Sequence, residues 1–151
     1  MSLLENVLNE ADFHAQTLVS IASYLENNYG KEAVNQFKEH WFKEVFYNPW
    51  KELGASNPKN IKTFASLLEK GCKGTHEWVR EIDEPNRVKY RFVKCIWAEI
   101  FHELGRPDIG KWFCESDYVL CEAFDKDMKF KRTKTLMDKD DYCDHEFLME
   151  E

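Results

Sequence analysis

No apolar stretch of this sequence approaches the roughly 20 residues that a helix needs to span a bilayer. Residues 1–12 show no basic region followed by an apolar run, so no secretion signal is read there. Positive charge is also short. Lys and Arg number 21 against 28 Asp and Glu, for a formal net charge of -7. Nucleic acid binding needs a basic stripe to displace counterions. The one candidate, residues 126–134, is interrupted by Asp127. There is no CxxC pair and no HExxH, and GxGxxG, GxxxxGK[ST] and GxSxG are missing too. Internal repeats and low-complexity tracts are absent. These gaps argue against a membrane span, nucleic acid, a dinucleotide or phosphate loop, and a sequence-legible metal site. No cofactor is called for.

What is present fits a single folded domain of the cytoplasm. The 151 residues are 43% hydrophobic and 15% aromatic, enough to build a core without disulfides or a structural metal. Five cysteines, an odd number, stand in a chain without a readable signal, which predicts free thiols in a reducing compartment.

The periodicity divides the domain in two, with residues 1–74 mainly helical and residues 75–151 forming a sheet with two inserted helices. Leu4, Val7, Leu8, Ala11, Ala15, Leu18, Ile21, Ala22 and Leu25 recur at helical spacing up to Gly30. A second helix is expected over about 31–53, kinked or interrupted near Tyr47-Asn48 because Pro49 lacks an amide donor. A loop over 54–58 and a third helix over about 59–70 follow. Alternation then takes over at 75–83 and 87–95, around a turn at Glu84-Pro85-Asn86, and predicts a β-hairpin. Short helices are expected at 96–104 and from Pro107 to about residue 124. Further strands are expected at 129–136 and 142–149. Asp138–Asp141 reads as a solvated turn. The sum is an α+β fold with N-terminal helices packed on one face of a roughly four-stranded antiparallel sheet.

Chemistry-bearing residues concentrate between Cys95 and Phe147. Cys114 and Asp117 are three apart on one predicted helix and share a face. Cys121 lies two turns beyond Cys114. Glu99 and His102 form a similar pair on the preceding helix. Cys143 and Asp144 open the last strand and must point to opposite faces. Each has a plainer reading. Cysteine packs as a small hydrophobe, Glu99 reads equally as an exposed charge, and Trp112, Phe113, Tyr118 and Leu120 read as core. Cys95, Cys114 and Cys143, with Asp117, Asp144 or His145, could in principle meet around zinc. Their spacing alone supports that weakly.

These same residues carry a family resemblance. The stretch from Cys95 through Ala98-Glu99 to Leu104-Gly105 resembles the L-2-amino-thiazoline-4-carboxylic acid hydrolases. So do Cys114 and Asp117 in Cys-x-x-Asp order, the run Arg132-Thr133-Lys134-Thr135-Leu136, and the run from Asp140 through Cys143-Asp144 to Phe147. The resemblance covers about a third of the chain. One departure is Lys139, where the family pattern has glycine. The resemblance implies ring-opening hydrolysis of a cyclic amidine, named as L-2-amino-thiazoline-4-carboxylate, to N-carbamoyl-L-cysteine. It implies that Glu99, Cys114, Asp117, Cys143 and Asp144 supply the catalytic groups, and that Cys95, Arg132 and Thr133 bind substrate. A carboxylate would activate water or hold the amidinium, a thiolate could instead attack directly, and Arg132 could clamp a carboxylate. Two other classes stay open: a non-catalytic small-molecule-binding or sensor module, and a metal- or redox-linked accessory protein. The expected partner is a small-molecule substrate, with neither nucleic acid nor membrane, and the oligomeric state is not readable.

Overall fold

The computed structural model describes residues 2–150, without the side chains of Leu3 and Leu4, so Leu4 of the first stripe lies outside the described side chains. Helix α1, Leu3–Tyr29, starts from a reciprocal cap in which Ser2 Oγ accepts from the Glu5 amide and Glu5 accepts from the Ser2 amide. It ends at Gly30, whose φ of 84° favours glycine. Ala11, Ala15, Leu18 and Ala22 are buried, whereas Leu8 and Ile21 sit at the exposed edge of the stripe.

The second helical segment does not break at Pro49. Helix α2, Lys31–Trp41, passes through a π-helical turn, Phe42–Tyr47, into α3, Asn48–Ser56. The Asn48 amide reaches back five residues to the Lys43 carbonyl, and Pro49 takes the first positions of α3, where no amide is required. The loop expected at 54–58 is also displaced. Gly54 is helical and buried because α3 crosses α6 so closely that a Cβ there would lie 2.2 Å from the Phe124 carbonyl oxygen. Helix α4, Ile61–Cys72, is capped by Asn60 Oδ1, which accepts from the Thr63 amide at 2.8 Å.

The hairpin forms where alternation predicts it, as β1, His76–Glu84, and β2, Arg87–Cys95. Helix α5, Ile96–Glu103, and helix α6, Pro107–Phe124, follow, then β3, Met128–Lys131, a 3-10 turn, Leu136–Asp138, and β4, Cys143–Met149. All strand pairs are antiparallel, in the order β1-β2-β4-β3. Strand β3 stops well short of residue 136. The Thr133 and Lys134 amides donate to Asp144 Oδ1 instead of to the ladder. A side-chain acceptor has outcompeted the sheet for those donors.

Strand β2 buries Val88, Tyr90 and Phe92, and the register sets them opposite Phe147, His145 and Cys143 of β4. Helices α4 and α6 cover this face, so that Phe64, Phe124, Tyr90 and Phe147 become one fully buried aromatic cluster. Burial of each is worth about 1.5–3 kcal/mol. The other face is solvated and carries ion pairs from Lys89 and Arg91 to Glu81. Helices α1 and α2 reach the sheet through α5 and α6, with which they form a second core around Trp41, Phe101 and Trp112. Tyr118, expected in the core, is 46% exposed and sets its ring edge-on to Phe130. No helix among the described residues is long and apolar enough to cross a membrane.

Candidate functional site

Where the two cores meet, a cavity of about 200 Å³ opens between α3, α4, α5, α6, the start of β1 and the inner face of the sheet. Each wall follows from local structure. Cys114, Asp117 and Leu120 recur at three-residue steps along α6 and so share its inner face. On β4, Cys143 and His145 are two residues apart, and the strand period sends both inward while Asp144 points away. His76 and Cys95 are register partners across β1 and β2, and Cys72 ends α4.

Asp117 is the only Asp or Glu on the wall. Arg132 Nη1 donates to Asp117 Oδ2 at 3.1 Å and to the Cys114 carbonyl at 2.8 Å, locking the strand-proximal segment onto α6. Burial pushes the Asp117 carboxyl up to about 7, against the pull of Arg132 in the opposite direction. His145 Nε2 stands 3.8 Å from the same Oδ2. Burial, then Arg132 and His76, lower the His145 pKa to about 3, so this is a neutral imidazole beside a carboxyl and not a charged pair. His76 is lowered to about 4, again by burial first. Its Nδ1 lies 2.8 Å from Thr75 Oγ1.

The thiols are pushed away from reactivity. Burial raises Cys72 and Cys95 to about 12 and Cys114 to about 11. Cys143 is raised as well, burial outweighing the bonds it makes with the Leu136 amide and Thr135. Cys95 precedes α5, and the amides of Trp97 and Ala98 pull it down, but desolvation wins. Thr135 links two of the thiols. Its Oγ1 lies 3.6 Å from Cys114 Sγ and accepts from Cys143 Sγ at 3.7 Å and from the Met137 amide at 3.2 Å. Thr135 is itself held by Asp140, which accepts its amide at 2.9 Å, so the acidic turn is not merely solvated.

Cys95, Cys114, Asp117 and Cys143 thus share one cavity. Arg132 touches it only from behind Asp117. Glu99 does not join them, being exposed on the outer side of α5. Asp144 and Thr133 form a separate clip, in which Asp144 Oδ2 accepts from Thr133 Oγ1 at 2.6 Å and Oδ1 from the amides of Thr133 and Lys134 at 2.8 and 2.5 Å. Burial alone would raise the Asp144 carboxyl, but those bonds hold it below the usual range. His102 is structural, its Nε2 2.9 Å from the Met137 carbonyl. Cys121 is buried in the sheet-side core, away from the cavity. Among the described residues, no three His, Cys, Asp or Glu side chains are grouped so as to hold a metal.

Cys72, His76 and Thr135 line the cavity although the sequence does not single them out as site residues, and His145, weighed from the sequence only as a zinc ligand, lines it too. The strand period offered a signal for His145, which must face the same way as Cys143. For Cys72, which comes from the helical half of the chain, and for His76 at the first position of β1, no local pattern points to the cavity.

A family model described as L-2-amino-thiazoline-4-carboxylic acid hydrolase matches residues 10–147, and so extends through the N-terminal helices. A search of curated proteins finds no match. Among solved structures, the chain is similar to a trafficking protein particle complex subunit 3 from Naegleria fowleri, described as covalently bound to palmitic acid. The TM-score is 0.51 at 12% identity, over 94% of this chain and 96% of that one. At that identity the likeness speaks for the fold alone.

Proposed function

The chain belongs to the L-2-amino-thiazoline-4-carboxylic acid hydrolase family, and from that premise we propose that it opens a cyclic amidine by hydrolysis in the cavity around Asp117. The observation that carries the reading is a single carboxyl, buried on a wall without lysine or arginine, with its pKa near neutrality. A general base works best when its pKa lies close to the working pH. Ionised, Asp117 takes a proton from a water that adds at the carbon between sulfur and nitrogen. The ring nitrogen takes up a proton as water adds, and the tetrahedral adduct collapses to the carbonyl, its hydroxyl giving up a proton in exchange as the carbon–sulfur bond breaks. The proton held by Asp117 passes to the departing thiolate, and the products are a free thiol and a carbamoyl group. For L-2-amino-thiazoline-4-carboxylate this gives N-carbamoyl-L-cysteine.

The same geometry disfavours direct attack by a cysteine. A nucleophilic thiol needs a lowered pKa, whereas those of Cys114 and Cys143 are raised. Both act instead as apolar wall. Arg132 is a positioning residue for Asp117, and Asp144 with Thr133 orders the segment from which Arg132 projects. The volume of about 200 Å³ is of the order that admits one small ring, since a cavity of about 150 Å³ takes benzene.

A second reading, a binding module without turnover, is favoured by the aromatic character of the wall and by the palmitic acid described for the structural neighbour. Thiol release decides between them. Incubation with 2-amino-thiazolines should liberate one thiol per molecule turned over, and Asp117→Asn should slow release by about 10²-fold or more. Saturable binding without any thiol release would establish the second reading.

A further inference from the structure

The cavity wall has a polar end and an apolar end. Asp117, His145 and His76 gather beside Phe92, whose ring lies 4.8 Å from that of His145 and 5.5 Å from that of His76. One turn earlier on α6, Phe113 stacks on Trp97 of α5 with centroids 4.4 Å apart and planes 13° from parallel. Residues four apart on a helix are separated by about 5–6 Å, so one small molecule spans both ends. The rest of the wall is mostly thiol, aliphatic and aromatic, with the hydroxyls of Ser116 and Thr135 among it.

No lysine or arginine lines this cavity. Arg132 is not on the wall, and its Nη1 is directed to Asp117 Oδ2 and to the Cys114 carbonyl. Both wall histidines are neutral at physiological pH because burial holds their pKa values near 3 and 4. A carboxylate placed here would face another carboxyl with no cation on its own side, and would lose its water as well. An amidinium would instead meet Asp117 in a charge-assisted hydrogen bond.

We infer that the substrate of this cavity is a cyclic amidine with no free carboxylate, whose other half is an apolar ring or short chain lodged against Trp97 and Phe113. This rests on the hydrolase reading of the site and narrows its substrate class away from the acid in the family's name. The binding energy comes from two sources, pairing of the amidine with Asp117 and removal of the apolar half from water. The second source grows with apolar size until the volume is filled.

Isothermal titration of the full chain with three compounds and one series tests this: 2-amino-2-thiazoline, its 4-carboxylate, the methyl ester of that acid, and a series of 4-alkyl derivatives. The ester and the unsubstituted ring should bind at least tenfold more tightly than the acid. Within the alkyl series, affinity should rise about fourfold per methylene and then stop rising once the cavity is full. Phe113→Leu should flatten that rise. Equal or tighter binding of the acid overturns the inference, and so does failure of every member to bind. Thiol release is followed in parallel. Turnover of the acid alone would leave the hydrolase reading standing and remove this one. Tight binding of the apolar amidines with no thiol released would remove the hydrolase reading and this substrate assignment with it, leaving apolar amidines as ligands only.

Discussion

Arg132 Nη1 and Asp117 Oδ2 are 3.1 Å apart, and this contact, with the bond from the same Nη1 to the Cys114 carbonyl, ties the segment after β3 to the middle of α6. Both side chains are largely enclosed, 12% and 17% exposed. The pair is therefore asymmetric. Burial leaves Asp117 able to give up its charge near neutral pH, an option that guanidinium groups in proteins lack.

That asymmetry makes the cost of losing Arg132 depend on pH. In Arg132→Gln, the Asp117 carboxylate has no counter-charge, and its pKa should rise beyond about 7. At pH 8, where the wild-type carboxyl is ionised, the lost charge pairing should cost up to about 1.4 kcal/mol, the free energy of protonating a group of pKa about 7 at that pH. At pH 6 the carboxyl can be neutral and the loss should be clearly smaller. Urea unfolding at the two pH values measures the difference. Equal losses would show that Arg132 contributes packing alone.

The cavity groups also set opposing pH dependences of stability. Asp117 goes from an ordinary 3.8 to about 7 on folding, so the folded chain holds the extra proton in that window. Its contribution falls as pH rises from about 4 to 7. His145 and His76 go from 6.5 down to about 3 and about 4, so the unfolded chain holds the extra protons. Their contribution is lost as pH falls below 6.5. Two histidines outweigh one carboxyl, and the melting temperature should rise between pH 4.5 and 6.5. Asp117→Asn removes the opposing group and should steepen that rise, as read by calorimetry. A shallower rise in the variant would contradict the assignment.

Asp144 accepts three hydrogen bonds from Thr133 and Lys134. Asp144→Ala should destabilise by about 1–3 kcal/mol and speed hydrogen exchange at those two amides selectively. Asp144→Asn, which keeps one acceptor oxygen, should fall between. Because Arg132 leads into this segment, turnover should drop in Asp144→Ala even though Asp144 does not line the cavity.

Lys139 is the one non-glycine residue with positive φ among the described residues, at 67°. It closes the 3-10 turn in the left-handed conformation that a glycine adopts without strain. Lys139→Gly should relieve about 1–2 kcal/mol and give back part of that through the freer unfolded chain. A net gain of about 0.5–1 kcal/mol in urea unfolding is expected, with thiol release unchanged.

Much of this protein was determined by sequence alone, wherever a local period or a single residue's covalent chemistry decides. The switch from helical spacing to alternation near residue 75 marks β1 and β2, Pro107 marks the start of α6, and the three-residue step puts Cys114 and Asp117 on one face. The family's motifs are local too, and the match beyond them extends to the N-terminal helices. Tertiary structure alone decided the rest, because the deciding partners are distant in the chain. Gly54 is helical because of the Phe124 backbone, and β3 ends early because of Asp144. Glu99 lies on the exposed side of α5, a side that the packing of α5 against α1 and α6 selects. His76 and Cys72 reach the cavity only because β1 pairs with β2 and α4 lies over the sheet. The character of Asp117 belongs to the same class. A carboxyl acquires a pKa near 7 from the low-dielectric wall that closes around it, and that wall is assembled from both halves of the chain.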